Sequence, residues 1–282
     1  MGYLFGLVGY PARDSKSPWI HEQFLKKQGE QGAYRIFETS PDALQDKLQA
    51  LKMVEVDGFN VTVPYKEEII PYLDEVDSYA SSVGAVNTVH VQDGKWIGYN
   101  TDGKGYVRSL LEEYSDTNLK KTQVLILGAG GAARGIYRAL AEAGAPVIDI
   151  ANRTASRGEA LRKLRCGSTD SSVLSLEEAE EDLSHYDLIV QTTSVGMTPN
   201  ESGQIISLRN VKPNAIVSDI VYKPFETSLL KEAKNRGARV LNGHGMLIYQ
   251  AALAFEQWTE TFVEANDIVT KFEQQLKGDT TC

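Results

Sequence analysis

Residues 123–143 read QVLILGAGGAARGIYRALAEA, and this stretch decides the fold. Gln123 to Leu127 is a short apolar run, as expected of a strand buried on both faces. It passes directly into Gly128-Ala129-Gly130-Gly131-Ala132-Ala133, then into a helical segment through Ala143, which Gly144 stops. The next strand, Pro146 to Ala151, ends about 20 residues beyond the glycines, the spacing of a dinucleotide-binding βαβ unit. Gly128 allows the tight turn, and Gly130 removes a side chain where a pyrophosphate must approach the backbone. Ala133 fills the third position, where a small residue lets helix and strand pack. The amides and dipole of the helix N-terminus favour the anion.

The end of the second strand selects the dinucleotide. An NAD site needs an acid there for the ribose 2′-hydroxyl. This chain has Asn152-Arg153-Thr154, with Arg157 one turn later, and Asp149 falls too early, inside the strand. An acid would repel a 2′-phosphate, whereas two arginines with Asn and Thr partners would hold one. The expected cofactor is NADP.

Further buried strands follow at Asp187–Thr192, Ala215–Asp219 and Ala238–Leu241, with helices between, which predicts a doubly wound sheet. Upstream, strands at Tyr3–Val8, Ala33–Glu38 and Gly58–Val63 alternate with helices at Pro18–Gln28 and Pro41–Leu51, and Pro64 reads as the start of another helix. Asp93-Gly94 between two alternating runs, Val86–Val91 and Lys95–Tyr99, is a hairpin signal. This first region reads as an α/β layer with a mixed sheet. Met246 to Leu276 reads as helical throughout. The predicted domains are residues 1–103, residues 104–243 with the Rossmann-type sheet, and C-terminal helices over 244–282.

The chain has 282 residues, with 29 basic and 38 acidic side chains for a net charge of −9. Length predicts two domains with a core that needs no metal or disulfide, and the charge argues against a nucleic-acid protein. Cys166 and Cys282 form no CxxC pair, and the four histidines are isolated in sequence, so no metal site is expected. No apolar run reaches the length of a membrane span, and the first residues lack the form of a signal peptide. A reduced cytoplasmic protein is expected.

Polar clusters stand at strand ends and helix starts: Ser15-Lys16-Ser17-Pro18, Asn60-Val61-Thr62-Val63-Pro64-Tyr65-Lys66, Gly84-Ala85-Val86-Asn87-Thr88 and Tyr99-Asn100-Thr101-Asp102-Gly103. A helix opened by Pro64 puts Lys66 in its first turn, where the dipole disfavours the ammonium and so favours proton release. The other reading of Lys66 is a solvated lysine beside Glu67 and Glu68. Asp102 reads as the N-cap of a helix from Gly103 to Tyr114, and Ser15 and Ser17 as hydroxyl donors or helix caps. Gln250 flanks the apolar stripe of Leu247, Ala251, Ala254, Phe255 and Trp258.

These clusters, with the glycine turn, Asn152-Arg153-Thr154, Asp219-Ile220-Val221-Tyr222 and Gly243-His244-Gly245-Met246, resemble the shikimate dehydrogenase family in order and spacing along nearly the whole chain. The resemblance implies NADP-dependent interconversion of shikimate and 3-dehydroshikimate, serving aromatic amino-acid biosynthesis. It implies a substrate domain to which the C-terminal helices return. It makes Asp102 the carboxylate partner of Lys66, leaving open whether Lys66 alone or the pair moves the proton. It assigns Thr62, Asn87 and Asp102 to the ring hydroxyls, Tyr222 to the carboxylate, and Thr193, Ile220, Gly243 and Met246 to the cofactor side. Ser15, Ser17 and Gln250 complete the substrate set.

Three departures stand out. Lys16 lies between the serines and Glu22 follows His21, Gln191-Thr192-Thr193-Ser194 replaces the usual Asn-Ala-Thr-Ser, and Lys223 follows Tyr222. The second leaves a cofactor contact at Gln191 open. The alternatives are a quinate/shikimate dehydrogenase using NAD, a folate-interconverting dehydrogenase, or a non-catalytic NADPH and metabolite sensor. Expected partners are the small-molecule substrate and, as an open possibility, a second copy in a homodimer.

Overall fold

The computed structural model describes residues 2–279. The chain divides into two compact units. One runs to Thr101 and takes back Gln250–Ile268, and the other holds Asp102–Tyr249 and the chain from Val269 onward.

The first unit contains β1 (Tyr3–Gly9), α1 (Ser17–Gln28), β2 (Gly32–Glu38), α2 (Leu44–Met53), β3 (Gly58–Val61), β4 (Glu75–Val76), α3 (Ser78–Val83), β5 (Thr88–Gln92) and β6 (Lys95–Tyr99). Among the described residues these strands form one six-stranded sheet, ordered β2-β1-β3-β5-β6-β4. β1 pairs in parallel with β2 and β3, whereas β5 is antiparallel to both β3 and β6, so the sheet is mixed as expected. The hairpin closes with Gln92 opposite Lys95, and Asp93 and Gly94 both have positive φ, as a type I′ turn requires. Val8, Phe59, Val61, Tyr65, Val89 and Trp96 belong to its buried core.

Two expectations in this unit are corrected. The Pro41–Leu51 segment is a 3-10 turn over Pro41–Ala43 followed by α2. Pro64 opens no α-helix. Residues 63–69 form successive turns ahead of a 3-10 turn at Ile70–Tyr72. The Lys66 carbonyl accepts Val86 N–H at 2.7 Å, so it is committed to a distant strand entry rather than to an amide one helical turn later.

The second unit contains α4 (Asp102–Glu113), β7 (Gln123–Leu127), α5 (Gly131–Glu142), β8 (Val147–Ala151), α6 (Ala155–Arg162), β9 (Val173–Leu174), α7 (Leu176–Glu181), β10 (Leu188–Gln191), β11 (Ile216–Asp219), α8 (Ser228–Asn235) and β12 (Arg239–Leu241). Its strands form a parallel sheet in the order β12-β11-β10-β7-β8-β9, the doubly wound arrangement. The order reverses beside β7, and a ligand site is expected there, beyond the carboxyl ends of the strands. β7 is apolar throughout its last four residues because both faces are covered: Val124 and Ile126 face one core, Leu125 and Leu127 the other. α4 begins at Asp102 itself, so Asp102 is the first helical residue rather than the residue preceding the helix.

The long C-terminal helix divides in two. α9 spans Gly243–Thr259, starting before Met246, and α10 spans Asn266–Asp279. Glu260 has φ 54°, which ends α9, and the Glu256 and Glu264 carboxylates accept Val263 N–H at 2.9 Å and Asn266 N–H at 3.0 Å. In the first unit, Trp258 donates its indole N–H to Val89 C=O at 2.9 Å and stacks on Phe5 at 4.5 Å. Gly58 makes room for it, since a Cβ there would overlap the indole. Cys166 is a half-buried free thiol, and Cys282 lies outside the described residues.

Candidate active site

In the first unit the polar groups gather where β1, β3 and β5 begin or end. Ser15 donates to Ser17 Oγ at 3.1 Å and accepts the Ser17 N–H at 3.2 Å. The N-cap residue of α1, Lys16, makes no side-chain cap, and Ser15 Oγ takes the first amide of the helix instead. Thr62 follows β3, with its N–H on Val8 C=O at 2.9 Å and its C=O taking Tyr65 N–H at 2.9 Å. Gly9 is required beside it, because a Cβ there would overlap the Thr62 methyl. Lys66 is half-buried on the turn that Val86 clamps. Lys66 therefore does not stand at an α-helix N-terminus, and no helix dipole favours its proton release.

Asn87 is buried, at 2 % exposed. Its backbone N–H reaches Tyr99 C=O at 3.0 Å, and its C=O takes Val61 N–H at 2.8 Å. Oδ1 accepts Thr101 N–H at 2.8 Å and the Thr88 hydroxyl at 3.0 Å. Nδ2 donates to Thr101 Oγ1 at 2.9 Å and to Gln250 Oε1 at 3.4 Å. These bonds fix which end of the carboxamide points where. They bring together two predicted residues 163 positions apart, Asn87 and Gln250.

Behind Asn87 lies a layer that sequence reasoning left without a role. Asn60 Nδ2 donates to Asn87 C=O at 3.2 Å and Thr88 Oγ1 at 3.1 Å, while its Oδ1 accepts the Tyr34 hydroxyl at 2.8 Å. Tyr34 stacks face to face on His21 at 4.3 Å. His21 is fully buried with neither ring nitrogen bonded, and burial pulls its pKa down to about 3, so the ring is neutral. The available signal was a single polar residue, Asn60, inside an otherwise apolar strand.

In the second unit the glycine turn stands at the carboxyl end of β7. Gly128 has φ 105°, its N–H bonds Ala151 C=O at 2.9 Å, and a Cβ would lie 2.6 Å from the Thr193 methyl. Glycine is thus required by both conformation and space. Ala129 and Ala132 are half-buried, Gly130 and Gly131 are exposed, and Ala133 is fully buried in the helix–sheet core. α5 has no side-chain cap, and a Cβ at Gly130 would enter open space above the turn. At the end of β8, Asn152 Nδ2 donates to Thr154 C=O at 2.8 Å, and Arg153, Thr154 and Arg157 are exposed. Asp149 is turned away from this end, accepting Ser172 N–H at 2.7 Å and the Tyr186 hydroxyl at 2.9 Å.

Gly243 opens α9 against β11, where a Cβ would overlap Ile220 C=O. Ile220, Gly243 and Met246 line one recess with Asp219. Tyr222 is half-buried and its ring lies 6.4 Å from Phe272, with burial raising its phenol pKa. Among the described residues no three His, Cys, Asp or Glu side chains gather as a metal site would need.

Comparison with known proteins decides the family. Residues 7–89 match the family described as shikimate dehydrogenase substrate binding domain, 109–220 that described as shikimate / quinate 5-dehydrogenase, and 243–261 that described as shikimate 5'-dehydrogenase C-terminal domain. A curated shikimate dehydrogenase (NADP(+)) of Oceanobacillus iheyensis is 50% identical over 96% of this chain and 98% of its own. The chain belongs to the shikimate dehydrogenase family. Crystal structures agree: the Listeria monocytogenes shikimate 5-dehydrogenase in complex with shikimate and NAD superposes with TM-score 0.89 at 34% identity, covering 96% of each chain. The Thermus thermophilus shikimate 5-dehydrogenase in complex with NADP(H) and shikimate gives 0.84 at 33% identity, covering 98% of each.

Within this shikimate dehydrogenase family member, the matched segments contain Ser15, Ser17, Thr62, Lys66 and Asn87, the glycine turn and Arg153, and Gly243, Met246 and Gln250. Asp102 and Tyr222 fall between segments. The uncapped helix above an open Gly130, with two exposed arginines and the displaced Asp149, fits a dinucleotide carrying a 2′-phosphate.

Proposed function

We propose that the chain interconverts shikimate and 3-dehydroshikimate with NADP as cofactor. The observation that carries the reading is the fixed carboxamide of Asn87, bonded to Thr101, Thr88 and Gln250 in a unit matching the substrate-binding family. A ring with several hydroxyls needs donors and acceptors set at defined angles before it arrives, because unpaired polar groups in a buried site reject the wrong ligand. Thr62, Asn87 and Asp102 are proposed for the hydroxyls, and Ser15, Ser17 and Tyr222 for the carboxylate, with Gln250 at the edge of the set.

The proton is handled by Lys66 and Asp102. In the reducing direction the Lys66 ammonium donates to the carbonyl oxygen as it becomes a hydroxyl, and in oxidation the neutral amine takes the proton back. The clamp from Val86 N–H to Lys66 C=O fixes the turn that carries this amine. NADPH, when bound, supplies the hydride that the carbonyl carbon accepts. Arg153 and Arg157 are proposed to hold the 2′-phosphate, with Asn152 and Thr154 beside them. The backbone of Gly128–Ala132 is proposed to take the pyrophosphate, and Thr193, Ile220, Gly243 and Met246 the nicotinamide side.

No helix among the described residues is long and apolar enough to cross a membrane. A cytoplasmic enzyme is proposed. The test is nicotinamide reduction by the purified chain with shikimate or quinate, each with NADP or NAD. Preference for shikimate with NADP supports the reading. Equal rates with quinate and NAD transfer the chain to the broader quinate/shikimate class, and no turnover with retained NADPH binding makes it a sensor.

A further inference from the structure

Gln191 ends β10, and Asp219 ends the neighbouring β11, directly opposite in register. Both are 1 % exposed. Gln191 Nε2 donates to Thr193 C=O at 3.1 Å, Val195 C=O at 3.1 Å and Asp219 Oδ1 at 3.2 Å. Its Oε1 accepts Thr193 N–H, and its backbone C=O accepts Ile220 N–H at 3.1 Å. Asp219 Oδ1 also takes Val221 N–H at 2.9 Å, and Oδ2 takes the Thr227 hydroxyl at 2.8 Å. One amide and one carboxylate therefore tie the loop after β10 to the loop after β11. Gln191 has every polar atom engaged in this way, so it has no side-chain donor left for a ligand.

We propose that Gln191 and Asp219 are positioning residues for the cofactor, holding the Thr193 and Ile220 loops in register with one another. This rests on the NADP reading above. The ionised carboxylate accepts from Gln191 and Val221 on Oδ1 and from the Thr227 hydroxyl on Oδ2, and a proton on Oδ2 would reverse the Thr227 bond and weaken the other two. Burial nevertheless raises its pKa to about 6, against the pull of those bonds. The other side chains of its recess are Tyr106 and Ser109 of α4, Ser218 of β11, Leu241 of β12, Met246 of α9, and Ile220 and Asn242 just after β11 and β12. None carries a charge, and the one titratable group, the Tyr106 phenol, is pushed up by burial and stays neutral.

The test measures NADPH binding by nicotinamide fluorescence in the wild type, Gln191→Leu and Asp219→Asn. The Leu side chain is similar in size and has no hydrogen bonds to give. The expected result is about a tenfold rise in NADPH Kd for Gln191→Leu, with kcat at saturating NADP and the shikimate KM changed by less than about twofold. Between about pH 7.5 and pH 5.5 the wild type should lose more affinity than Asp219→Asn. The ligand's 2′-phosphate titrates in the same range, with a pKa near 6. It does so in both proteins, so the difference between them reports Asp219.

Unchanged NADPH Kd in Gln191→Leu, or parallel pH profiles, overturns the proposal while leaving the NADP reading intact. If Gln191→Leu does not fold, the comparison of pH profiles decides by itself. Absence of NADPH binding by the wild type overturns both.

Discussion

The Thr101 backbone N–H donates to Asn87 Oδ1 at 2.8 Å, and Asn87 Nδ2 donates to Thr101 Oγ1 at 2.9 Å. This reciprocal pair fixes the residue immediately before Asp102 to the residue proposed to read the substrate hydroxyls. Thr101→Val removes the hydroxyl half of the pair. The shikimate KM should rise by roughly two- to tenfold, the worth of one neutral hydrogen bond, with NADP KM unchanged. Steady-state kinetics at saturating NADP checks this, and an unaltered shikimate KM would remove Asn87 orientation from the account.

Tyr34 supports the Asn87 backbone carbonyl from behind through Asn60. Tyr34→Phe leaves a buried Asn60 oxygen without its hydroxyl donor, which costs about 1–3 kcal/mol. Urea unfolding should show that loss in midpoint with the slope retained, and an unshifted midpoint would mean that Asn60 finds another donor.

His21 contributes one pH-dependent component of stability. Its folded pKa, about 3, lies below the ordinary value of 6.5, so unfolding releases a base that takes up a proton. The stability associated with the neutral ring is complete above about pH 6.5 and is lost as pH falls towards 3, at roughly 1.4 kcal/mol per pH unit. Between pH 7 and pH 5 this group should remove about 2 kcal/mol from the wild type. His21→Phe, which keeps a ring beside Tyr34, should lack that component. Equal acid losses in the two proteins would show that His21 is protonated in the folded state.

Arg153 tests the cofactor choice. Arg153→Ala removes one of the two arginines proposed to hold the 2′-phosphate, a charge-assisted contact worth about 1.5–3 kcal/mol. The NADP KM should rise by roughly ten- to a hundredfold with the NAD KM unmoved. An equal effect on both cofactors would place Arg153 elsewhere than at the 2′-phosphate.

The parts of this molecule that were legible in the sequence are those where local and long-range forces agree. β7, the glycine turn and α5 combine a doubly covered strand, a residue that must take φ 105° and an uncapped helix start within twenty positions. Asp93-Gly94 is equally local. The setting of Lys66 was not legible, because Pro64 is a valid helix opener and what diverts the chain is Val86, twenty residues on. The break after α9 was hidden for a related reason. The segment from Met246 to Leu276 contains no Gly or Pro, and the turn at Glu260 is held by carboxylates of Glu256 and Glu264 that read in sequence as surface charges. The departure at Gln191 was visible as a residue type, but its role depends on Asp219, which neighbours it only through strand pairing.

Lys66 is proposed to move the hydroxyl proton during hydride transfer. The most direct measurement is kcat for shikimate oxidation by Lys66→Ala, with shikimate affinity measured in the same preparation. A fall of roughly 10²–10⁴-fold in turnover is expected, with affinity largely kept. Near-normal turnover in a pure sample would contradict it.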